Sequence, residues 1–140
     1  MGTTNYKSTF IQVADDNAVT SAQIPPSSDS GPSIAELEYQ LLSEHPYGYT
    51  SDDLLFEVYA LRHGIPDADR EEARKEFFAK NQACLRASPL AKRYGWGFHH
   101  DADGKVALVG VGTDRYAELV ADPALEHIKA MRSSRAAANA

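Results

Sequence analysis

One cysteine, Cys84, is all the thiol chemistry this 140-residue chain has. A lone cysteine cannot close an internal disulfide, so a disulfide scaffold and a cysteine-rich zinc module are both excluded, and a reducing compartment fits. No apolar run approaches the roughly 20 residues of a membrane-crossing helix. Residues 1–9 are polar and lack a signal-peptide core. Tyr6 stands where a myristoylation signal opening Met1-Gly2 needs serine or threonine. These absences predict a cytoplasmic protein with no membrane partner. Basic residues are scarce too: 14 Lys and Arg against 20 Asp and Glu leave a net charge of −6. Such a surface lacks the cationic footprint that releases counterions, so no nucleic acid is expected as partner. No H-E-x-x-H, paired C-x-x-C or cofactor fingerprint occurs, and neither metal nor cofactor is expected.

What remains is a chain long enough for one domain, residues 1–140, with its own core. Residues 8–14, Ser-Thr-Phe-Ile-Gln-Val-Ala, read as a strand. Residues 15–32 collect Asp, Asn, Ser, Pro and Gly and read as a flexible loop. Ser33 and Glu36 make a capping box, followed by an apolar stripe of Ile34, Leu37, Leu41 and Leu42 that ends at Pro46. A second helix starts at Thr50 with Asp52 and Asp53 in its first turn and stops at Gly64; a strand through Leu55–Tyr59 is the alternative. A third, charged helix runs from Asp67 to about Lys80, with Ala73, Phe77 and Phe78 inward.

Gly95–His100 and Lys105–Gly112 then form a hairpin whose turn ends on Gly104. Thr113 or Asp114 opens a short helix, and Leu125, Ile128 and Met131 place another over Pro123 to about Arg132, before a frayed tail at 133–140. The fold class is α+β: a small antiparallel sheet, N-terminal strand plus hairpin, packed by four to five helices.

Several segments carry a family resemblance: Leu42-Ser43-Glu44-His45-Pro46, Tyr49-Thr50-Ser51-Asp52-Asp53, Ala83-Cys84-Leu85-Arg86-Ala87-Ser88-Pro89-Leu90, and Lys92-Arg93-Tyr94-Gly95-Trp96-Gly97. Together with His99-His100-Asp101 and Lys129-Ala130-Met131-Arg132-Ser133, they resemble a family of small uncharacterised proteins from bacteria and fungi. The resemblance spans most of residues 6–133 and implies no activity.

The candidate site is the stretch from Cys84 to Asp101. Residues 81–116 carry five bases and three acids, a balance of +2 in an acidic chain. Arg86, Lys92 and Arg93 suit a phosphate or carboxylate, with Tyr94 and Trp96 as an apolar wall. The leading expectation is therefore a small-molecule or partner-binding domain that receives an anionic group beside the hairpin. The plainer reading is a wet basic loop leading to a core tryptophan.

An enzyme is the second expectation. Cys84 would be its nucleophile, or His99 or His100 its base; against this, a free cysteine is most often a buried small hydrophobe. His99 and His100 point to opposite faces of a strand, so one ion cannot readily take both, and one of them would need His45, Asp52 or Asp53 to complete a ligand set. Asp52 and Asp53 read more simply as helix-start carboxylates. A structural homodimer seamed along the hairpin is the third expectation, and the chain is read as monomer or homodimer.

Overall fold

A computed structural model describes residues 3–27 and 29–132. Four strands form one sheet in the order β3-β2-β1-β4: β1 is Thr9–Gln12, β2 Trp96–His100, β3 Val106–Gly110 and β4 Glu126–Lys129. β1 and β2 are antiparallel, as are β2 and β3, whereas β1 and β4 run parallel. Among the described residues five α-helices accompany the sheet: α1 (Ile34–Glu44), α2 (Ser51–His63), α3 (Arg70–Ala79), α4 (Pro89–Arg93) and α5 (Asp114–Val120). The chain is thus a small α+β fold with a mixed sheet.

Local chemistry accounts for most boundaries. Ser33 with Glu36, and Thr50 with Asp53, each make both bonds of a capping box. Gly64 closes α2 in the left-handed conformation, so residues 55–59 are helix and the strand alternative fails. The hairpin turn closes on Gly104 at φ +83°, with the Gly104 amide donating to the Asp101 carbonyl at 3.0 Å.

The pleat sends alternate residues to opposite faces. Ile11, Phe98 and Val106 pack with Leu37, Leu42, Leu54, Val58, Leu90 and Ala91 in the main core, beneath α1, α2 and α4. Phe10, Val109 and Leu119 form a smaller cluster on the reverse face, under α5. Gly97 is what lets Phe10 lie flat there, since a β-carbon at 97 would sit 2.8 Å from the Phe10 ring and 3.0 Å from the Ile11 carbonyl oxygen.

Two further expectations are corrected. The segment from Pro123 to Arg132 is not a helix, because Glu126–Lys129 is strand β4. The spacing of Leu125, Ile128 and Met131 is helical, but β1 lies fully buried at Phe10 and Ile11 and its second edge needs hydrogen-bond partners. The Glu126 amide supplies the Ser8 carbonyl at 2.9 Å and the Ala130 amide supplies the Gln12 carbonyl at 2.8 Å. Lys92 and Arg93 are not on a loop: Ser88 caps α4 and Pro89 occupies its first turn. Helix α3 keeps Ala73, Phe77 and Phe78 half-buried on its inward face, as expected, without burying any residue fully; it leans on α2 through Phe77, whose ring lies 5.9 Å from Phe56 and 4.7 Å from Tyr59. The expected tail at 133–140 lies outside the described residues.

Candidate functional site

Of the expected anion-binding residues, Arg86, Tyr94 and Trp96 have separate structural partners. Trp96 is half-buried against Tyr39, ring centroids 5.5 Å apart, and its Nε1 donates to the Gln23 carbonyl at 2.8 Å. The Gln23 amide in turn donates to the Tyr94 carbonyl at 2.8 Å, so residues around 23 are strapped over the start of β2. Arg86 donates from Nε to the Lys129 carbonyl at 2.7 Å and accepts the Met131 amide on its own carbonyl at 2.8 Å, locking the end of β4. Arg93 is exposed and Lys92 half-buried on the last turn of α4. None of the five main clefts among the described residues has Arg86, Lys92, Arg93, Tyr94 or Trp96 on its wall.

The histidines part company as the pleat requires. His99 meets Tyr47, whose hydroxyl lies 2.6 Å from Nδ1. Burial, then the charge of Arg115, holds the His99 pKa below its usual value. His100 is fully buried, and neither ring nitrogen makes a well-aligned hydrogen bond, although the Phe98 and Thr9 backbones approach the ring and favour its charged form. Burial pushes its pKa down to about 4, which makes it a neutral core imidazole at pH 7. No group of three or more His, Cys, Asp or Glu that could hold a metal gathers among the described residues. Asp52 accepts hydrogen bonds from Thr3 and Thr4 at 2.6–2.7 Å, and Asp53 caps α2 and pairs with Arg74 at 3.0 Å.

Cys84 is half-buried, and its Sγ lies 3.2 Å from the Tyr6 hydroxyl. Burial, and then the Cys84 contact, push the Tyr6 phenol up to about 12; Arg86 works in the opposite direction. The Tyr6 ring stands edge-on to His100 at 5.4 Å. That is an aromatic contact rather than a proton path, so Cys84, Tyr6 and His100 adjoin without forming a nucleophile–base relay.

The residue missed in the sequence is Glu38. It sits on α1, 2% exposed, and its Oε1 accepts the Ser88 hydroxyl at 2.5 Å. Burial drives the carboxyl up to about 7; the Ser88 bond pulls the other way and only partly offsets it. The signal was present: Glu38 lies four residues after Ile34 and three or four before Leu41 and Leu42, inside the apolar stripe of α1.

Glu38 lines a cleft of about 340 Å³ between α1 and residues 82–89. Ile34, Leu55, Ala83, Ala87 and Pro89 make its wall apolar, and Gln82, Cys84 and Ser88 supply the other polar groups. The Gln82 amide is already committed to the Phe77 carbonyl at 2.7 Å. A carboxyl that changes charge near neutral pH, on a residue lining a largely apolar cleft, is suited to give or take a proton from a bound molecule. A second cleft of about 420 Å³, between α2 and α3, holds two ion pairs, Arg70–Glu57 at 2.7 Å and Arg74–Asp53 at 3.0 Å, together with Glu71.

No helix among the described residues is long and apolar enough to cross a membrane. No curated protein and no solved structure is significantly similar to the chain. One family matches nearly all of it, residues 1–136, and the chain belongs to that family, DUF6157, a family of unknown function.

Proposed function

We propose that this chain is a small-molecule-binding protein and that its site is the cleft between α1 and residues 82–89. One observation carries the reading: a buried carboxyl, Glu38, held by Ser88 on the wall of a largely apolar cavity. An ionisable group is costly to bury without a partner for its charge. A pocket lined by apolar groups with one convergent polar group is the usual form of a ligand site.

A fragment library followed through amide NMR shifts tests this. The expected result is a cluster of shift changes at Ala83, Cys84, Ala87 and Ser88 that disappears in Ala87→Leu, which fills the cavity. Fragments that move other amides only, or that ignore Ala87→Leu, contradict it.

A further inference from the structure

The Glu38 cleft has a charge logic of its own. Its wall carries one ionisable carboxyl and no cation. The groups brought to it by the neighbouring elements are Leu55 from α2, Cys84 from the preceding segment and Ser88 from the cap of α4, none of them charged. Burial and the Ser88 hydroxyl are the influences on its ionisation, and no neighbouring charge enters.

An anion placed here would face a second negative charge, with no cation to offset it. A neutral hydroxyl would gain one ordinary hydrogen bond. An ammonium group would gain a charge-assisted bond to a buried carboxylate, which is the strongest of the three. Dehydrating the ammonium opposes this, so the cation has to arrive on a body whose own burial drives entry. The apolar wall built by Ile34, Leu55 and Pro89 suits a hydrocarbon body.

We infer that the ligand of this cleft is a small, largely hydrocarbon amine whose ammonium group pairs with the Glu38 carboxylate. This rests on the cleft being a ligand site, as proposed above.

Three probes of one shape separate the possibilities: cyclohexylamine, cyclohexanol and cyclohexanecarboxylate, each titrated into the full chain in amine-free buffer and followed at the Cys84, Ala87 and Ser88 amides. The expected order is amine tightest and carboxylate weakest. An alkylammonium keeps its charge well above pH 8, like the lysine side chain, so the pH response comes from Glu38. With Glu38 ionising at about 7, amine affinity rises about tenfold from pH 6 to pH 8. Glu38→Gln abolishes the advantage of the amine while still binding cyclohexanol, which also reports that the cleft remains formed. Cyclohexanol binding as tightly as the amine, without pH dependence, overturns the amine inference and leaves the cleft as a ligand site. Carboxylate binding best overturns it in favour of an anion. No shift at these amides with any probe overturns the cleft reading itself.

Discussion

The Ser88 hydroxyl donates to Glu38 Oε1 at 2.5 Å across 50 residues of sequence, and both groups are buried. The same Ser88 oxygen accepts the Leu90 amide at 3.1 Å, so one side chain caps α4 and holds the α1 carboxyl. The cleft is positioned by that double role, because α1 and the segment carrying Cys84 and Pro89 are pinned at one point.

Ser88→Ala therefore removes two bonds at once. Loss of the cap costs about 1 kcal/mol at any pH. Loss of the bond to Glu38 costs about 1.5–3 kcal/mol where the carboxyl is ionised and about 0.5–1.5 where it is neutral. Urea denaturation at pH 8 and pH 5 checks this: the substitution is expected to be more damaging at pH 8, and an equal loss at both contradicts it.

Glu38 makes the folded state pH-sensitive in a definite direction. Its folded pKa is raised from 4.5 to about 7, so the native state binds the extra proton between those values. Its contribution is fully present below 4.5 and is lost as pH rises through 7. Glu38→Gln mimics the neutral acid. The variant is expected to match wild type at pH 4 and to exceed it at pH 8 by on the order of 3 kcal/mol, as measured by denaturant midpoints.

His100 acts with the opposite sign. Its folded pKa is depressed from 6.5 to about 4, so its contribution is present above 6.5 and is lost as pH falls through 4. Between 4.5 and 6.5 the two buried groups pull stability in opposite directions. His100→Phe removes one of them and leaves no buried nitrogen unpaired. Relative to wild type it is expected to gain on the order of 3 kcal/mol on going from pH 7.5 to pH 4. A pH-independent difference refutes the assignment.

Gly97→Ala tests the reverse face of the sheet. The new methyl group meets the Phe10 ring and the Ile11 carbonyl oxygen at 2.8–3.0 Å, and the expected destabilisation is about 1–3 kcal/mol. Thermal unfolding reads it directly, and a neutral substitution would show that Phe10 repacks freely.

Where the chain speaks through local chemistry, the sequence is readable. The capping boxes at Ser33 and Thr50, the left-handed Gly64 and the Asp101–Gly104 turn all announce themselves within a few residues. Strand β4 does not, because its conformation is dictated by the open edge of β1 more than 100 residues away, and four residues of mixed polarity carry little propensity of their own.

The site follows the same division. Cys84 stands on the cleft wall, and the opposed faces of His99 and His100 follow from strand periodicity. That Trp96 and Arg86 are tied to the carbonyls of Gln23 and Lys129 depends on tertiary neighbours. Glu38 was legible in principle, as an acid within an apolar stripe, but eleven acids between residues 33 and 80 make any one of them look like solvated surface.

The central claim is that Glu38 is a buried carboxyl that ionises near neutral pH on the wall of a ligand cleft. Carbon-13 NMR titration of its side-chain carboxyl in the folded protein tests this most directly. A midpoint at about 7 is expected. A midpoint in the ordinary glutamate range, about 4.3, would contradict it.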